Sequence, residues 1–207
     1  MTLSASEVSK LKKAPAVDGV LPVVLERWSP RSFSDREVSP ADLKRVFEAA
    51  RWAASSYNEQ PWRFIVGVRN SPAYKKIFST LIAFNQSWAG SAPVLILGSA
   101  STKFAHDSSN NRVALYDLGA AASYLTLQAA ALGLSTHQMA GFDPEAARKA
   151  FEIPEDYIIG AVIALGYQGE PSALHDQQLV ERETAPRTRK PQSDFVFAAW
   201  GEPAELG

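Results

Sequence analysis

The chain has no cysteine, which excludes disulfides, thiolate-bound metal and cysteine nucleophiles together. Such a sequence suits a reducing compartment, and a cytoplasmic location is expected. Histidine occurs three times, as His106, His137 and His175, with no two at a helical spacing, so a metal site is not expected. Neither sign of charge is in excess: 21 basic and 22 acidic residues leave a formal net charge of -1. The chain as a whole therefore has no pull toward nucleic acid or an anionic membrane, and any anion-binding site must be local. No G-x-G-x-x-G follows a strand-like run and no Walker pattern occurs, which removes the common nucleotide-binding loops. Residues 1–13 are polar and lack the apolar stretch of a secretory signal, so export is not expected.

Residues 118–142 carry no formal charge and are numerous enough to span a bilayer. They include Ser123, Thr126, Gln128, Ser135, Thr136, His137 and Gln138, lean on alanine, and are interrupted by Gly133. A helix buried in a protein core is the expectation, not a membrane span.

What is present suits one globular unit. With 207 residues and 46% hydrophobic content, the chain can bury a substantial core, and a single domain over 1–207 is expected. Helix and strand signals alternate without repeats. Ser39, Pro40 and Asp42 supply an N-cap, a first-turn proline and a carboxylate, and Leu43, Val46, Phe47 and Ala50 then recur at helical spacing. Residues 64–68, 94–98 and 158–165 are short apolar runs rich in β-branched residues, expected as buried strands. Between the last two lies a helix with Leu118, Ala121, Ala122, Leu125, Ala129 and Leu132 on one stripe, terminated at Gly133. Its small residues 119–123 suit close approach by another backbone, either across a dimer interface or in a tight core. Asp143, Pro144 and Glu145 start a further helix. The segment 168–207 is polar and weakly periodic, and is expected to run extended across the surface or a partner.

Three segments concentrate chemistry. Arg27, Trp28, Ser29, Pro30, Arg31, Ser32 and Phe33 follow the apolar run 20–25 and place two guanidinium groups and hydroxyls in one compact donor cluster suited to a phosphate. By itself this could be an exposed basic turn. Residues 54–62, Ala-Ser-Ser-Tyr-Asn-Glu-Gln-Pro-Trp, gather hydroxyls, amides and an aromatic ring in a loop between rigid elements. Arg187, Thr188, Arg189, Lys190 and Pro191 form a basic patch near the C-terminus.

Taken in order, these segments resemble the nitroreductase family, over residues from about 25 to about 200. Arg27, Ser29 and Arg31 match its Arg-x-Ser-x-Arg/Lys signature. Ser55, Ser56, Asn58, Gln60, Pro61 and Trp62 match its Ser-Ser-x-Asn-x-Gln-Pro-Trp loop, the most specific of the three, and Arg187 and Arg189 match its basic pair before a proline. Asn85 and Gly141 fall where the family places an amide side chain and a glycine beside its flavin.

The resemblance implies an α+β, nitroreductase-like fold: a central mixed, mostly antiparallel sheet flanked by helices, in an intertwined homodimer. It implies FMN as cofactor, NADH or NADPH as a transient electron donor, and nitroaromatic or quinone-type acceptors reduced by a ping-pong route. Alternatives on the same scaffold are a flavin-storing protein with little turnover, or dehydrogenation or dehalogenation. Arg27, Ser29, Arg187 and Arg189 are expected at the phosphate, Trp28 elsewhere in the cofactor site, Arg31 at the N1 and C2 carbonyl edge of the ring, and Asn85 on its pyrimidine side. Gln138 is expected in the same site, with the backbone amides of Ala140 and Gly141 facing N5 and the C4 carbonyl. Ser55, Ser56 and Asn58 are expected to arrive from the partner subunit. Phe104 and His106, in the short lid segment 101–111, are expected to meet substrate. The sequence departs from the family at Ala54, where a proline is usual, at Ala140, where an acidic residue is common, and at Trp88, where some members carry a second base. Arg31 is thus expected to act alone at the ring edge.

Overall fold

The computed structural model describes residues 3–206. Four strands form a sheet in the order β1-β2-β4-β3: β1 (Trp62–Val68), β2 (Val94–Ser101), β3 (Ser135–Met139) and β4 (Tyr157–Gly166). All three pairings are antiparallel, which realises the expected mostly antiparallel sheet. Helices cover both faces. On one side α3 (Pro40–Arg51) and α6 (Ala114–Ala131) pack over Val94, Ile96, Ile163 and Leu165. On the other, α4 (Pro72–Thr80), α5 (Ala83–Ala89), α7 (Pro144–Phe151) and α8 (Gln177–Thr184) pack over Leu95, Leu97, Val162 and Ala164. Side chains alternate between faces along a strand, so a strand covered on both sides reads as an unbroken apolar run. That is why β2 and β4 were visible in the sequence.

Helix ends follow local chemistry. Ser39 Oγ accepts the Asp42 amide at 3.0 Å, and Asp143 Oδ1 accepts from Glu145 and Ala146, as the cap signals predicted. Helix α6 ends where Gly133, at φ +74°, lets the Leu134 amide turn back to the Ala129 carbonyl at 2.8 Å and the Gly133 amide to Ala130. This paired closure requires a left-handed residue. The uncharged stretch is thus divided between a helix and strand β3, and among the described residues no helix is long and apolar enough to cross a membrane.

The structure adds to the expected elements and changes some. The run 158–165 is the fourth strand, because β3 intervenes. Ser-Thr-His-Gln-Met has no apolar run to announce it, and it is a strand because its ladder with β4 is formed. Helices α4 and α5 fill the connection between β1 and β2. Segment 168–207 is not extended throughout, since it contains α8. That helix turns only Leu179 and Glu183 fully inward, one of them a carboxylate, so its periodicity was too thin to read. At the other end of the chain, α1 (Ala5–Lys12) is fixed by a Ser4–Glu7 capping box, and α2 (Pro22–Glu26) leads into the arginine loop.

Candidate functional site

The loop 27–33 is held from three directions. At the exit of β4 the Ser34 amide donates to Tyr167 O and the Gly169 amide to Ser32 O, both at 2.9 Å, while Ser32 Oγ donates to Glu170 O at 2.6 Å. From α8, the Glu183 carboxylate, 1% exposed, accepts the Arg31 and Ser32 amides at 3.0–3.1 Å. From β3, His137 Nδ1 lies 2.9 Å from Pro30 O. A carbonyl can only accept, so that nitrogen carries the proton. Burial holds the His137 pKa at about 4, and its ring lies 4.6 Å from that of Trp88.

So fixed, the loop walls a cleft of about 210 Å³ lined by Lys12, Arg27, Trp28, Ser29, Arg31, Arg182, Arg187 and Arg189. Arg27 Nη1 lies 3.3 Å from Ser29 Oγ. The Arg187 guanidinium donates to the Leu25 and Arg27 carbonyls. Lys12 reaches from α1 across the Trp28 ring, 4.9 Å from its centroid, and donates to the Arg182 and Ala185 carbonyls at the end of α8. Burial lowers the pKa of Arg27, Arg31, Arg187 and Lys12, and Arg189 opposes Arg27 and Arg187 in the same direction. Arg31 Nε is buried without a partner among the described residues. Glu183 is the carboxylate that faces Lys12 and Arg31, and burial raises its own pKa against those cations. Six cations around one void, with a donor left unpaired, make a site for an anion with several acceptor oxygens.

A second group lies along the rim. Asn85, 7% exposed, donates from Nδ2 to Gly141 O at 2.8 Å, and the Ile82 amide donates to the same oxygen at 3.1 Å. A Cβ at Gly141 would sit 2.6 Å from Asn85 Nδ2 and 2.8 Å from Ile82 Cδ1, so only glycine lets this backbone lie here undisturbed. The amides of Ala140 and Gly141 donate to no partner among the described residues. Gln138 is exposed, with Nε2 at 3.3 Å from Thr126 Oγ1. The Arg182 guanidinium lies over the Phe84 ring, 5.5 Å from its centroid, joining the cleft to this rim.

The third group stands apart. Tyr57, Asn58 and Gln60 have φ of 54°, 55° and 51°, a left-handed region that costs non-glycine residues energy and concentrates at functional loops. The loop is secured by Ser55 Oγ accepting the Gln60 amide at 3.0 Å and by buried Asp117 accepting the Ser56 amide at 3.1 Å. Trp62 pairs with Ala100, which brings the start of β1 beside the end of β2 and hence the lid 101–111 beside this loop. The rings of Tyr57, Phe104 and His106 cluster with centroids 5.4–5.8 Å apart, and the Ala105 amide donates to Glu59. Tyr57 is 84% exposed. None of residues 54–60 lines the cationic cleft.

Arg27, Trp28, Ser29, Arg31, Arg187 and Arg189 therefore converge in one chain, and Asn85 meets Gly141. Ser55, Ser56, Asn58, Phe104 and His106 form a separate group. Sequence reasoning missed Lys12, Arg182 and Glu183. Each lies on a short helix far from the arginine loop in sequence, and the only available signal was a buried-spaced Glu183 four residues after Leu179.

An antiparallel sheet covered by helices on both faces, with a cationic cleft opening onto a glycine-backed rim, defines a class of protein that binds an anionic small molecule. The family profile described as "Nitroreductase family" matches residues 24–83 and 70–167, and the chain belongs to the nitroreductase family of oxidoreductases. It is 38% identical over 149 residues to a 15.4 kDa protein from the ask 5′ region of Mycolicibacterium smegmatis, covering 68% of this chain and 99% of that one. It is 30% identical over 191 residues to a Thermus thermophilus protein named NADH dehydrogenase, covering 74% of this chain and 92% of the relative. A solved structure described as an oxidoreductase containing FMN superposes with a TM-score of 0.83 at 31% identity, over 89% of this chain and 94% of the other.

Proposed function

We propose that this chain binds FMN and, as a cytoplasmic homodimer, passes electrons from NADH or NADPH to a nitroaromatic or quinone-type acceptor. The observation that carries the reading is the cationic cleft opening toward the Asn85–Gly141 rim. The residues fit the cofactor. A phosphate monoester brings nearly two negative charges, which would relieve the repulsion among Arg27, Arg187 and Arg189. Each charge-assisted hydrogen bond could contribute about 1.5–3 kcal/mol. At the rim, a backbone with no side chain and two free amides accepts a planar ring edge at close range.

Arg27, Ser29, Arg187 and Arg189 would hold the phosphate, with Trp28 walling the cleft and Arg31 reaching the ring. Asn85 and Gln138 would orient the ring, and the Ala140 and Gly141 amides would donate to its edge. FMN, when bound, supplies the centre that accepts and returns electrons, while the protein positions and tunes it. One open face would serve donor and acceptor in turn, so a ping-pong rate law is expected. The name of the Thermus relative supports a reduced nicotinamide as donor.

The separation of residues 54–60 from the cleft supports a site completed by a second copy, with Ser55, Ser56 and Asn58 arriving from the partner and Phe104 and His106 over the substrate. Among the exposed large apolar side chains are Leu115, Tyr116 and Tyr124 on α6, and Phe195 and Trp200, the latter 97% exposed, near the C-terminus. Exposed apolar area on that scale marks an association surface. Protein purified with FMN supplied should be a yellow dimer with one flavin per chain. It should bleach anaerobically with NADH or NADPH and recolour with a nitro or quinone acceptor. A colourless dimer would remove the reading.

A further inference from the structure

Resting on the FMN reading above, we infer that Arg182 is a second cation at the ring edge of the flavin, where it sets the reduction potential, and does not belong to the phosphate grip. Arg182 lines the cationic cleft beside Arg31, yet its guanidinium lies over the ring of Phe84. Phe84 directly precedes Asn85, whose side chain is bonded to Gly141. Arg182 thus spans from the arginine cleft to the rim where the pyrimidine edge would rest.

Its backbone is fixed from both sides. Lys12 donates to the Arg182 carbonyl at 3.1 Å, and the next residue, Glu183, holds the Arg31 and Ser32 amides. Helix α8 therefore positions Arg31 and Arg182 as one unit. Little else at this end carries charge. Helix α5 has no ionisable side chain, Trp88 is buried against the His137 ring, and residues 139–142 are Met-Ala-Gly-Phe. His137 is neutral near pH 7.

Two-electron reduction leaves negative charge at the N1 and C2 carbonyl edge of the flavin, so a nearby cation binds the reduced form more tightly than the oxidised form and raises the potential. A cation gripping only the phosphate favours both forms alike and leaves the potential unchanged. A unit charge a few ångströms away is worth between roughly fivefold in bulk water and roughly a thousandfold near a protein surface. For a side chain as exposed as Arg182 a preference near the lower end, about tenfold, is expected.

The test uses full-length protein loaded with FMN: wild type, Arg182→Gln, Arg182→Lys and Arg189→Gln. Flavin fluorescence gives the dissociation constant of oxidised FMN, and anaerobic equilibration with a reference dye gives the midpoint potential. Arg182→Gln should hold reduced FMN about tenfold more weakly relative to oxidised FMN, which lowers a two-electron potential by about 30 mV. Arg182→Lys, which keeps the charge, should recover most of the shift. Arg189→Gln should weaken binding with little change in potential. If Arg182→Gln loses oxidised-FMN affinity at constant potential, Arg182 belongs to the phosphate and the inference is overturned. It is equally overturned if neither quantity moves. Wild-type protein that binds no FMN would overturn the proposed function itself, a result distinct from a yellow protein with an unchanged potential.

Discussion

Acidification should destabilise this protein through one side chain, His137. Its Nδ1–H is committed to Pro30 O, and its ring is packed against Trp88. Burial holds its pKa at about 4 in place of 6.5, with Arg31 opposing protonation in the same direction. In the unfolded chain the imidazole takes up a proton as pH falls through about 6.5, whereas in the native state it stays neutral until about pH 4. Between those values the unfolded state binds more protons, so stability falls with falling pH and levels off once both states are protonated. The gap corresponds to ~3 kcal/mol in full, most of which is lost by pH 4.5. That is a large share of the 5–15 kcal/mol typical of a folded domain. Urea unfolding of wild type and His137→Asn, at pH 7.5 and 4.5, isolates the contribution. The asparagine cannot titrate, so wild type should lose about 2–3 kcal/mol more than the variant over that interval. Parallel losses in the two proteins would refute the argument.

Substitutions at two further positions probe the supports of the site. Gly141→Ala places a Cβ 2.6 Å from Asn85 Nδ2 and 2.8 Å from Ile82 Cδ1. Both are side-chain ends that can yield, so the protein should fold with a loss of about 1–2 kcal/mol. Asn85 would be displaced from Gly141 O, and FMN affinity measured by fluorescence should drop about tenfold. Glu183→Ala leaves the Arg31 and Ser32 amides without their acceptor in a buried place and should cost about 3 kcal/mol in urea unfolding. Glu183→Gln keeps an acceptor oxygen and should recover part of that loss.

Three strands were legible, β1, β2 and β4, and the central pair, β2 and β4, is covered on both faces. Burial on both sides left a continuous apolar signature, and caps at Ser39 and Asp143 marked helices by local hydrogen bonding alone. Strand β3 and helix α8 were not legible. One is polar apart from Met139, and the other turns a leucine and a carboxylate inward, so each depends on partners distant in the chain. The same division runs through the site. Arg27, Ser29, Arg31, Asn85, Gly141, Arg187 and Arg189 were legible because short motifs carry the chemistry within a few residues. Lys12, Arg182 and Glu183 were not, because none belongs to such a motif.

By itself the sequence determined which side chains could bind an anionic, planar cofactor and in what order they occur, since donor type and local spacing are properties of the chain. Tertiary structure alone decided that Arg182 lies over Phe84 and that a buried glutamate fixes the arginine loop. It also decided that His137 is held neutral and that residues 54–60 stand away from the cleft. Those outcomes depend on packing between segments up to about 170 residues apart, where low-dielectric burial changes what a charge or a hydrogen bond contributes.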